Sequence, residues 1–144
     1  MIEPVRIANV MGGVEVLGRH IVSYDDLEKA VDAGLPKNAL RTAARRVFSA
    51  ATEANRLIYS VVPEATYKRR QKRLRATESE RTERLARVIA SAEELWRNRE
   101  HARVWLTSPH PELAGRTPIE CAKTDLGARR VEELLARIEY GLPV

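Results

Sequence analysis

Six cations fall within eight residues: Lys68, Arg69, Arg70, Lys72, Arg73 and Arg75. The chemistry they suit is the gripping of phosphate, by point charge from lysine and by the bidentate guanidinium fork from arginine, which also matches the guanine edge in the major groove. Residues 1–67 hold eight basic and eight acidic side chains, residues 68–87 nine and three, and residues 88–144 eight and nine, so the net charge of +5 originates in one twenty-residue segment. A cationic face confined in this way is the footprint of a phosphate-backbone binder. The competing reading is a solvated or protein-binding helix surface.

Other chemistry has little to stand on. Cys121 is the sole cysteine, so neither an intramolecular disulfide nor a thiolate zinc cluster can form, and its place in a helical apolar pattern marks it as a small core residue. His20, His101 and His110 lie on separate segments without metal-ligand spacing, and His110 between Pro109 and Pro111 reads as a loop residue. The expectation is a protein without catalytic residues, metal or cofactor. Hydrophobic residues make up 44% and charged residues 31%, enough apolar content for a core and too much charge for a membrane protein. No window approaches a spanning length, and Met1 to Gly13 lacks a signal-peptide pattern, so a cytoplasmic protein is expected.

The elements that must position the basic run read as helices throughout, and the fold class is all-α. Residues 1–22, with Gly12, Gly13 and Gly18 among short apolar runs, show no helical period and are expected to be an irregular arm. Ser23 before Asp25 and Asp26 starts a helix over Tyr24 to Ala33, stopped at Gly34. Leu40, Ala43, Ala44, Val47 and Phe48 form the apolar face of a helix opened by Pro36, with Arg41, Arg45 and Arg46 on its other side. From about Thr52 a further face of Ala54, Leu57, Ile58 and Val61 runs up to Pro63, where a turn should lead into a basic helix. Thr77-Glu78-Ser79-Glu80 has the pattern of a capping box that starts a long helix with Leu85, Val88, Ile89, Ala92 and Trp96 inward. Arg99 to Leu106 is a short helix, Thr117-Pro118-Ile119-Glu120 a second capping box, and Thr124 or Asp125 caps a last helix with the stripe Val131, Leu134, Leu135 and Ile138.

Helix, tight turn, basic helix is the order of a helix-turn-helix, in which the second helix enters the major groove. The expected DNA-binding residues are Thr66 and Tyr67 near the bases, with Lys68, Arg69, Arg70, Lys72 and Arg73 on phosphates or guanines. Glu64 at the start of that helix repels phosphate unless it accepts from a cytosine amino group.

The last third carries Trp105-Leu106, Pro109, Pro111-Glu112-Leu113, Gly115-Arg116-Thr117-Pro118, then Gly127-Ala128-Arg129-Arg130-Val131 and Ile138-Glu139-Tyr140-Gly141. In this order these residues closely resemble the toxin-binding domain of the Xre/MbcA/ParS antitoxin family, over roughly Leu85 to Tyr140. Upstream, Pro63-x-x-Thr66-Tyr67-x-Arg69-Arg70 resembles that family's DNA-binding helix, and Gly12-Gly13 to Leu17-Gly18 its lead-in. The resemblance implies a type II antitoxin that covers the active site of a RES-domain toxin, an NAD-consuming or ADP-ribosyltransferase-like protein, and binds operator DNA to regulate its own operon. It also implies a homodimer within a larger toxin-antitoxin complex and no cofactor. The alternative is a helix-turn-helix regulator without a toxin partner.

On this reading residues 1–22 are an arm, 23–76 the helix-turn-helix module and 77–144 the toxin-binding module. The toxin-binding residues implied are Gly115, Arg116, Thr117 and Pro118 as scaffold, with Ile138, Glu139, Tyr140, Gly141, Leu142 and Val144 facing the toxin. A pocket built for a dinucleotide pyrophosphate is cationic, so Glu139 and the Val144 carboxylate are candidate anionic plugs, and Tyr140 can stack where a ring would sit.

Overall fold

The computed structural model describes residues 2–142, and Val144 of the expected toxin-facing end lies outside them. The described residues form ten α-helices, one 3₁₀ turn and no β-strand. The first departure from the sequence reading comes at once, because the stretch expected to be irregular folds as α1 (Pro4–Val10) and α2 (Gly13–Leu17). Pro4 is suited to a first helical turn, and Ile7, Ala8, Val10 and Met11 make one buried face at helical spacing. The glycines punctuate two short helices, which hid that face by keeping each periodic run to a turn or two.

Helix α3 (Tyr24–Ala33) has the expected bounds. Ser23 Oγ accepts from the Asp26 N–H at 3.1 Å while the Asp26 carboxylate accepts from Ser23 N at 3.2 Å. Helices α4 (Lys37–Val47) and α5 (Ala51–Val61) pack against each other through the predicted apolar faces, and Val62-Pro63 turns the chain into α6 (Glu64–Arg69).

The expected basic helix ends after six residues. From Arg70 to Arg75 the backbone leaves the helix, bends at Gln71 and Lys72, and lies across the start of α4, where Lys37 N donates to Lys72 O at 2.9 Å and Leu74 N donates to Leu35 O at 2.8 Å. Leu74 is buried, and that anchor cannot be reached if the helix continues. Gly34 makes the crossing possible: its φ of 93° suits glycine, and a methyl there would run into the Leu74 carbonyl oxygen.

Helix α7 (Ala76–Trp96) starts one residue before the expected capping box and uses a different one. Glu78 reaches back to accept from Arg75 N at 2.8 Å, while Thr77 and Glu80 are exposed. The register follows from Glu78, whose carboxylate also receives Arg70. At about 1.5 Å per residue α7 is roughly 31 Å long, and it packs against α1, α3, α4, α5, and against α8 (Arg99–Leu106) and α10 (Asp125–Glu139).

Between α8 and α10 lie the 3₁₀ turn Pro111–Leu113 and α9 (Pro118–Cys121). Helix α9 is opened by the predicted box, with Thr117 Oγ1 accepting from Glu120 N at 3.2 Å. Cys121 is buried, as its apolar setting implied. Gly127 is buried inside the first turn of α10, at a site where an added methyl would collide with the Cys121 carbonyl oxygen. The α9–α10 corner therefore closes only over glycine. Gly127→Ala should cost about 2 to 3 kcal/mol through overpacking against backbone, and for a chain of this size should lower Tm by roughly 5 to 10 °C. Thermal unfolding by circular dichroism measures it, and an unchanged Tm would mean the corner opens without strain.

Candidate functional site

The basic residues divide into two groups once their partners are known. Arg70 is largely sequestered, its Nε and terminal nitrogen donating to the two Glu78 oxygens at 3.0 and 2.9 Å. The Arg73 guanidinium donates to Gly34 O at 2.8 Å. These two arginines, expected on DNA, pin the segment after α6 to α7 and to the end of α3. Tyr67 is also displaced from its expected role. Its ring is 2% exposed, lies edge-on to Tyr59 with centroids 6.1 Å apart, and its hydroxyl donates to Lys37 O at 3.3 Å.

What faces outward from this region is Lys68, Arg69, Lys72, Arg73 and Arg75, with Thr66 half-buried among them; of these Arg73 is tied to the Gly34 carbonyl. Lys68 pairs with Glu64 at 3.3 Å along the exposed side of α6, a contact that screening makes weak. It also answers the repulsion expected of Glu64, since that carboxylate has a cation of its own one turn away. Two residues outside the basic run come close to α6: Lys37 Nζ sits 4.5 Å, and the Arg41 guanidinium carbon 6.0 Å, from the Tyr67 ring centroid. Sequence reasoning placed Arg41 on the polar side of α4 but gave neither residue a role, because nothing in their spacing shows that Tyr67 will pack beneath them.

Two ion clusters hold the helices around this face. Hydrogen bonds from Arg70, and then from Arg75 N, hold the Glu78 carboxyl below its ordinary range despite burial. Glu83 shows the opposite balance. Its burial pushes the carboxyl up although Arg87 lies 2.8 Å away and bridges on to Glu132 of α10 at 3.0 Å.

In the C-terminal third, Trp105 stacks at 5.1 Å on Trp96, and His110 lies edge-on to Trp105 at 6.3 Å. His110 Nδ1 accepts from Glu112 N at 3.1 Å and so caps the 3₁₀ turn. Gly115 and Arg116 are exposed at the tip of the loop, whose neck is closed by His110 N donating to Arg116 O at 3.1 Å. Thr117 caps α9 and Pro118 is buried. Ile138 is half-buried against the core, whereas Glu139, Tyr140, Gly141 and Leu142 project from the end of α10, with Tyr140 75% exposed. The loop meets the middle of α10 through Arg130, which donates to Glu112 O at 3.0 Å, and no hydrogen bond joins residues 115–118 to 138–142 among the described residues. No group of three metal-ligating side chains occurs among the described residues.

Known families match both halves of this arrangement. Residues 26–87 match the Antitoxin Xre-like helix-turn-helix domain, and residues 91–141 match the Antitoxin Xre/MbcA/ParS C-terminal toxin-binding domain. The chain belongs to the Xre-type antitoxin family. Antitoxin Xre of Pseudomonas putida (strain KT2440) is 34% identical over 84 residues, which cover 56% of this chain and 53% of that protein. The chain therefore spans about half the length of the curated relative it matches. The two family domains meet inside α7, between residues 87 and 91, so the Xre-type helix-turn-helix and the toxin-binding domain share one helix.

The Arg70–Glu78 pair yields a pH test. A carboxyl whose folded pKa is depressed adds stability above its unfolded value, and that stability is lost as pH falls through the folded pKa. Urea unfolding should therefore show wild type losing stability below about pH 5 faster than Glu78→Gln. At neutral pH Glu78→Gln should be less stable than wild type, because Arg70 is left without its carboxylate. Parallel pH profiles for the two proteins would contradict the assignment.

Proposed function

We propose that the protein neutralises a RES-domain toxin by covering its active site and binds operator DNA through α6 to regulate its own operon. The observation that carries the toxin reading is the match of residues 91–141 to a toxin-binding domain whose last helix ends in an exposed acidic and aromatic tip. Glu139 offers a carboxylate to a pocket that must be cationic to hold a pyrophosphate, and Tyr140 offers a ring. Exposed Leu142 adds apolar surface beside them. Gly115 and Arg116 present a second, backbone-rich contact, while Thr117 and Pro118 act as its scaffold. The DNA reading rests on the match of residues 26–87 to a helix-turn-helix domain and on the outward cations of α6 and its exit. In this proposal Thr66, Lys68, Arg69 and Lys72 meet DNA, and Tyr67, Arg70 and Arg73 hold them in place. The working unit is a homodimer in a larger complex with the toxin, acting in the cytoplasm.

Co-expression with a candidate RES-domain toxin tests the proposal. Wild type should restore growth. A variant lacking Gly141 to Val144 with Glu139→Ala and Tyr140→Ala should fail to do so while keeping its affinity for duplex DNA. Full neutralisation by that variant would remove the C-terminal tip from the contact, and the absence of any growth arrest without the antitoxin would remove the toxin partner.

A further inference from the structure

Helix α4 precedes the helix-turn-helix pair and lies in the part of the chain whose charges cancel, so composition gives it no part in binding an anion. The fold alters that. Lys37 and Arg41, one turn apart on α4, both stand over the Tyr67 ring, which is followed directly by Lys68 and Arg69. The backbone N–H of Lys37 donates to the Lys72 carbonyl, so the start of α4 and the exit of α6 are stitched together. Cations from α4, α6 and the segment after α6 thus lie on contiguous parts of the fold. Lys37, Arg41, Arg69 and Lys72 have no carboxylate within ion-pair distance among the described residues, although ion pairs engage most acidic side chains of α7. A ring face under a cation also limits its freedom at small cost, so that less entropy is lost when it meets a ligand.

We propose that Lys37 and Arg41 are a second phosphate-binding arm, so that duplex DNA is gripped from α4 together with Arg69 and Lys72. The proposal rests on the DNA-binding reading of α6 and assigns part of that interface to residues outside the basic run. It adds to the cations of the basic run two residues of α4 that have no carboxylate partner among the described residues. The occupant is duplex DNA, whose closely spaced phosphates suit cations held on neighbouring elements.

The test is fluorescence anisotropy of a mixed-sequence duplex of roughly 25 base pairs, titrated with the full chain between about 50 and 200 mM salt. Each lost phosphate contact should flatten the log-log salt slope by about 0.9, so K37Q/R41Q should reduce it by about 1.8. K37R/R41K, which keeps both charges, should restore the wild-type slope. Because Arg41 is exposed, R41Q alone carries the test if the double variant does not fold, with a reduction of about 0.9. A wild-type slope in K37Q/R41Q, or in R41Q when only that variant folds, alongside a flattened slope in R69Q/K72Q, would overturn the second arm and leave the DNA reading of α6 intact. Salt-independent or absent binding by wild type would overturn both.

Discussion

Helix α7 is the constraint on which the other elements depend. Leu85, Ala86, Val88, Ile89, Ala90 and Ala92 are buried on it, which takes in more than one face, so neighbours must cover it from several sides. Helices α3, α4 and α5 of the Xre-like domain pack on it, and α8 and α10 of the toxin-binding domain also close on it. Its buried polar groups are satisfied by specific partners. Ser79 Oγ accepts from Leu35 N at 2.8 Å, Thr82 donates to Glu78 O at 2.9 Å, and Glu78 holds Arg70. Neither domain can shed α7 without exposing apolar surface and stranding these groups.

Arg46 carries the same logic across the junction. Its guanidinium makes a paired contact with Glu93 of α7 at 2.8 and 3.0 Å and reaches Asn9 at 2.9 Å. Its carbonyl accepts from Arg103 of α8 at 3.3 Å. One residue of α4 thereby touches the N-terminal lead-in, the shared helix and the toxin-binding domain. A side chain on the polar side of α4 becomes internal because the charged partner lies on a neighbouring helix, and a charge-assisted bidentate pair of low exposure is worth more than a surface bridge.

Where helix bounds depended on local chemistry, they could be read from the sequence. Ser23 and Asp26, Thr117 and Glu120, and Pro63 after the Val61 face each act within four residues of chain, and the structure follows them. The exceptions are instructive. Thr77 and Glu80 form a valid box by spacing, yet Glu78 wins because Arg70 and Arg75 N both converge on it. The run from Lys68 to Arg75 looked like one helix because its residue types permit helix. It breaks after Arg69 because Leu74 has a buried site beside Leu35, a contact nearly forty residues away in sequence. Residue type and charge alone therefore did not show that Tyr67 is buried, that Arg70 and Arg73 are bonded to Glu78 and Gly34, or that Lys37 and Arg41 stand beside α6. The end of the last helix was legible from Gly141, and Glu139 and Tyr140 are exposed there because few contacts from elsewhere reach them.

Both domains should therefore stand or fall together on α7. Native-state hydrogen exchange tests it most directly, by comparing the opening free energies of the slowest amides in α4 and α5 with those in α10. One common value is expected, equal to the global unfolding free energy from urea denaturation, with α7 at that same limit. A lower opening free energy for α8 to α10, with α3 to α5 still protected, would contradict it and make the toxin-binding domain an independently unfolding unit.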